Sequence, residues 1–123
     1  MTNISYDGNL TLSFAVKDRN VSADWYAKHL GFTRLFDAAE IGWTEMQTPI
    51  PGVTAGFADA MDVKSGGCVP VLGVPDLEAA RAALEAEGVR FDGQNIVHEG
   101  MVKLATFFDP DGNAWMLAQS FDQ

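Results

Sequence analysis

From Leu10 to Val16 the chain alternates: Leu10, Leu12, Phe14 and Val16 are apolar, and Thr11, Ser13 and Ala15 between them are small or polar. A period of two marks a strand with one greasy face and one smaller face. Helical spacing replaces it from about Asn20 to Leu30, where Val21, Trp25 and Leu30 form an apolar side, and Gly31 suits the left-handed position that ends a helix. Phe32–Phe36, Ile41–Gln47 and Val53–Ala58 then read as strands, separated by Asp37-Ala38-Ala39 and Pro49-Ile50-Pro51-Gly52. Within Ile41–Gln47, Trp43, Glu45 and Gln47 share a face, and the pattern leaves open whether that face lines a cleft or meets solvent.

The same order then returns. Cys68–Val74 repeats the first strand, with Asp76 standing 58 residues after Asp18 and Gly88 standing 57 after Gly31. Asp76 is a good N-cap for Leu77–Glu87, a run of strong helix formers with Leu77, Ala80 or Arg81, and Leu84 on one side. Val89–Phe91, Asn95–Val97, Val102–Phe108 and Ala114–Gln119 supply strands, the last two joined by the type I turn Asp109-Pro110-Asp111-Gly112, which takes no ligand. Two half-domains in tandem follow, about 8–60 and 66–121, with Gly66-Gly67 as the turn between them.

Composition narrows the classes. The chain's 123 residues, 47% hydrophobic, suit one domain. Eight Lys and Arg against seventeen Asp and Glu leave a net charge of −9, which disfavours a phosphate backbone or an anionic membrane and is compatible with a cationic ligand. No apolar run approaches membrane-spanning length, and no basic-then-apolar leader opens the chain, so a cytoplasmic protein is expected. A single cysteine, Cys68, excludes an internal disulfide and a thiolate zinc site within the chain.

Ser22-Ala23-Asp24-Trp25-Tyr26-Ala27-Lys28-His29-Leu30-Gly31-Phe32, Val74-Pro75-Asp76-Leu77-Glu78-Ala79-Ala80 and Phe107-Phe108-Asp109-Pro110-Asp111-Gly112-Asn113 resemble the helix and hairpin motifs of the vicinal oxygen chelate superfamily of glyoxalases, bleomycin-resistance proteins and extradiol dioxygenases. The resemblance spans about Leu10 to Ala118. It implies an α+β fold of two tandem βαβββ modules forming a curved mixed sheet around an open cleft, commonly as a homodimer. It also implies four metal-ligand positions, which fall here on Thr11, Val69, Gly56 or Phe57, and Met116. None is a His or carboxylate, and a hard or borderline divalent ion needs several oxygen or nitrogen donors. Neither metal nor other cofactor is therefore expected.

With Thr11 and Val69 facing the cleft, Ser13, Val71 and Met116 join them in a small, apolar floor suited to a hydrophobic ligand. Trp43 is a candidate stacking surface and Glu45 a candidate partner for a cation. His98, beside Glu99 in a loop-like segment, is a candidate ligand contact or proton carrier, and Lys103 a candidate ligand contact. His29, in the last turn of the first helix, is read as structural, and Trp25 and Tyr26 as core. The leading expectation is a drug-sequestering binding protein resembling the bleomycin-resistance proteins. The alternative is a metal-free acid–base enzyme (isomerase, lyase or cyclase) using His98 or Glu45, and a third is a metal-dependent glyoxalase or dioxygenase.

Overall fold

The computed structural model describes residues 5, 7–63 and 68–121, so the turn expected at Gly66-Gly67 lies outside the described residues. The chain divides into two compact units, Met1–Val63 and Lys64–Gln123. The first contains β1 (Leu10–Val16), α1 (Arg19–Leu30), β2 (Thr33–Ala38), a 3-10 turn at Ala39–Ile41, β3 (Trp43–Gln47) and β4 (Val53–Asp59). Its strands lie in the order β1-β4-β3-β2, parallel between β1 and β4 and antiparallel elsewhere. The second contains β5 (Val71–Gly73), α2 (Leu77–Ala86), β6 (Arg90–Phe91), β7 (Ile96–His98), β8 (Val102–Phe108) and β9 (Ala114–Ser120). Its order is β5-β9-β8-β6, with β7 also on β8, and again the first and last strands pair in parallel. Both units are βαβββ modules of an α+β fold, the second with one short extra strand.

Each helix starts on an aspartate whose carboxylate accepts hydrogen bonds from the backbone N–H groups that the first turn leaves unpaired. Asp18 accepts from Asn20 and Val21, and Asp76 from Ala79. Gly31, at φ 74°, ends α1 in the left-handed conformation that glycine adopts without strain. The core of the first unit gathers on Tyr26, whose ring lies 4.6 Å from that of Phe57 and 5.3 Å from that of Phe32. Trp115, Phe107, Leu77 and Leu117 fill the core of the second. No described helix is long and apolar enough to cross a membrane.

Several boundaries differ from the sequence pattern. The buried side of α1 is Ser22, Ala23 and Tyr26, whereas Val21 is 56% exposed. Two small residues let the helix approach the sheet closely, and Tyr26 supplies the bulk that Val21 was expected to give. The strand expected over Cys68–Val74 shrinks to Val71–Gly73, because Pro70 has no N–H to donate and contributes only its carbonyl, to Met116 N at 3.0 Å. Ile41 belongs to the 3-10 turn, Asp37 to β2, and His98 to β7 rather than to a loop.

Candidate functional site

Strand register assigns every side chain of the first sheet to a face. Thr44, Met46, Ala55 and Phe57 are buried against α1. Side chains alternate, so Trp43, Glu45 and Gln47 occupy the face turned away from α1. Thr11 pairs with Thr54 there, Ser13 with Gly56, Gly56 with Glu45, and Glu45 with Phe36. This open face carries a row Ser13–Gly56–Glu45–Phe36, flanked by Trp43 on one side and Gln47 on the other. The Trp43 face left open by the sequence is thus the face of Thr11 and Ser13.

The row is tightly organised. A Cβ built on Gly56 would overlap Cζ2 and Cη2 of the Trp43 indole, so the ring lies directly on the glycine backbone. From there the indole Nε1 donates to Glu45 Oε1 at 3.2 Å. Thr11 Oγ1 shares a 2.7 Å hydrogen bond with Thr54 Oγ1. Gln47 Nε2 donates to the carbonyls of Thr48, Ile50 and Val53 at 2.8–3.2 Å, which fixes the β3–β4 turn.

The two arginines of this unit are engaged on the α1 side of the sheet. Arg19 Nε meets Asp37 Oδ1 at 2.7 Å, its Nη1 meets Asp59, and its backbone N donates to Asp59 Oδ1 at 2.7 Å. Arg19 Nη2 also donates to Asp37 Oδ2 at 3.2 Å, and Thr44 Oγ1 adds a third hydrogen bond to the same carboxylate. The Arg19 guanidinium first, and the Thr44 hydroxyl second, lower the Asp37 carboxyl from 3.8 to about 2, and the two aspartates push Arg19 further up. Arg34 bonds Asp24 on α1 at 2.9 Å. A cavity of about 370 Å³ beside Arg19, lined by Lys17, Asn20, Asp59 and Met61 among others, belongs to this helix-anchoring network. Nothing in the sequence pointed to the network, since its members are 18 and 40 residues from Arg19.

In the second unit Ala105, Phe107, Trp115 and Leu117 are buried, which leaves Val71, Met116 and Thr106 as one row of the face away from α2. The next row is Gly73, Ala118, Leu104 and Ile96, and the third sets Ser120, Val102 and His98 side by side. A cavity of about 380 Å³ lies along this face between Gly73, Val74, Pro75, Val102, Ala118 and Ser120. His98 therefore shares a face with Met116 and Val71. Val69 lies just before β5, 38% exposed. Lys103 is on the opposite face: it pairs with Gln119, its Nζ reaches Glu78 of α2 at 3.2 Å, and it sits 5.6 Å from the Phe121 ring centre. That engagement replaces the ligand contact expected of it. Its neighbour Gln119 accepts from Leu77 N at 2.7 Å, reinforcing the start of α2.

The positions that the resemblance marks for metal ligands hold a threonine bound to a threonine, a valine, a glycine under an indole, and a methionine. Among the described residues no group of three or more His, Cys, Asp or Glu is placed to hold a metal ion.

Comparison with known proteins agrees with this architecture. The family model described as Glyoxalase/Bleomycin resistance protein/Dioxygenase superfamily matches residues 10–117. A superfamily member from Sphaerobacter thermophilus DSM 20745 superposes with a TM-score of 0.77 at 22% identity, covering 94% of this chain and 98% of that one. TnmS3, an antibiotic binding protein from Streptomyces sp. CB03234, gives 0.75 at 26% identity, covering 98% of this chain and 99% of its own. A glyoxalase/bleomycin resistance protein from the same Streptomyces strain gives 0.68 at 27% identity, covering 90% and 99%. Among curated proteins none matches the chain.

Proposed function

We propose that this chain, which belongs to the glyoxalase/bleomycin resistance protein/dioxygenase superfamily, is a small-molecule-binding member that works without the superfamily's metal ion. The carrying observation is the open face of the first unit, where an indole and a carboxylate bonded to it are presented together beside the half-exposed Phe36. An aromatic plane contributes dispersion and quadrupole attraction, and a carboxylate selects a cation or a hydrogen-bond donor. Glu45 is the one charged side chain among the strand residues of that face.

The second unit supports the same reading with different chemistry. Val71, Met116 and the 380 Å³ cavity provide apolar surface, and His98 provides a polar edge. The residues at the metal positions do not suit a divalent ion: threonine and methionine are weak donors, valine and glycine have none to offer, and the space over Gly56 holds Trp43. Antibiotic binding by TnmS3 makes a drug-like ligand a reasonable class to try.

The test is a titration of metal-stripped protein with a panel of neutral and cationic aromatic compounds, followed by Trp fluorescence, with the recovered ligand analysed by mass. Saturable binding with the ligand returned unchanged is the expected result. A chemically altered ligand would shift the reading to metal-free acid–base catalysis through Glu45 or His98. Melting curves with nickel, zinc, manganese and ferrous iron complete the test, and a large shift with one ion would overturn the metal-free reading.

A further inference from the structure

Resting on the reading above, we propose that Gly56 determines the specificity of the open face. By carrying no side chain it admits the Trp43 indole onto the sheet, and the indole holds Glu45 in place, so that the face selects a planar aromatic cation.

Gly56 is buried and is not among the glycines with positive φ. Backbone freedom is therefore not what the position requires; it requires space. The indole overlaps the place of a Cβ, so even alanine forces the ring to move. The neighbours that frame the ring are small as well: Trp43 pairs with Ala38 on one side and Ala58 on the other. Pinned there, the indole N–H holds one carboxylate oxygen of Glu45, and among the described residues Oε2 accepts no hydrogen bond. No ion pair is formed by Glu45 among the described residues, and the two arginines of the unit are engaged by Asp37, Asp59 and Asp24 on the α1 side. An uncompensated carboxylate beside an indole, with the half-exposed Phe36 next in the row, attracts a ligand that is flat and positively charged. Gly56 touches no ligand in this scheme and is a positioning residue acting through Trp43.

Two measurements on the intact protein test this. The first needs no ligand: the Trp43 indole N–H resonance, assigned by its loss in Trp43→Phe, is expected to shift in Gly56→Ala and in Glu45→Gln. The second uses proflavine, a flat tricyclic cation, against acridine-9-carboxylate, a flat anion of similar outline. The wild type is expected to prefer proflavine, and Gly56→Ala to weaken proflavine binding by about tenfold or more with a smaller effect on the anion. The double variant Trp43→Ala/Gly56→Ala relieves the overlap and is expected to recover the melting temperature lost by Gly56→Ala, but not the preference. An indole resonance and proflavine affinity both unchanged in Gly56→Ala would overturn the role of Gly56 and leave the binding reading intact. Failure of the wild type to bind proflavine, with the indole responding as expected, would instead overturn the ligand class.

Discussion

Asp37 shows what a single side chain contributes through its neighbours. Its carboxyl is lowered to about 2 by Arg19 and Thr44, so its stabilising effect is complete above the ordinary value of 3.8 and is lost as pH falls through about 2. Acid unfolding followed by circular dichroism is expected to show a steep loss between pH 4 and 2 in the wild type. Asp37→Asn is expected to be less stable at neutral pH and to flatten that limb; an unchanged limb would remove Asp37 from the account. Not all of this residue-scale detail was legible beforehand. Alternation alone put Trp43 and Glu45 on one face, but choosing the face needed the burial of Thr44 and Met46. Lys103 was within reach of the sequence. Counting back from the Asp109–Asn113 hairpin pairs it with Gln119 and sets it opposite in face to Met116, a step that turn position makes available. Arg19 was not within reach, because long-range ion pairs leave no periodic trace.

At the scale of the element, the two helices were readable in unequal degree. For α2 the N-cap, the helix formers and the buried pair Leu77 and Leu84 all coincide with the structure. For α1 the apolar side was assigned to Val21, Trp25 and Leu30, and the helix packs through Tyr26, which was read as core, and through Ser22 and Ala23, small residues that no apolar pattern picks out. The caps carry a matching expectation. Asp76→Ala is expected to cost about 1 kcal/mol in chemical denaturation, as loss of an N-cap generally does. Gln119 also serves the first turn of α2 through Leu77 N, so combining Asp76→Ala with Gln119→Ala is expected to cost more than the sum of the two single changes. Simple additivity would show that the two contacts act independently.

For the whole molecule, the repeat near 58 residues is what made the architecture legible, because it survives uncertainty in any one strand. In the structure, Ser13 beside Gly56 in the first module corresponds to Val71 beside Met116 in the second. The two modules present different chemistry on equivalent rows: a carboxylate and aromatic rings in one, aliphatic and thioether groups in the other. Val71, Ile96, Val97 and Met101 are each about half exposed or more, more apolar surface than water favours. A homodimer is expected, read by sedimentation velocity at micromolar concentration, with Ile96→Lys shifting it toward monomer. A monomeric wild type would show that these exposed apolar residues do not mediate self-association.

The parallel pairing of first and last strands also bears on how the chain is made. In each module the strand that opens it bonds to the strand that closes it, β1 with β4 and β5 with β9, so sheet completion is a late and non-local event with a corresponding loop-closure cost. During synthesis β1 waits, edge unpaired, until Val53–Asp59 has emerged, and β5 waits until Ala114–Ser120 has followed. Neither module can close before its own last strand is available, so the earliest order of closure along the chain is first module, then second.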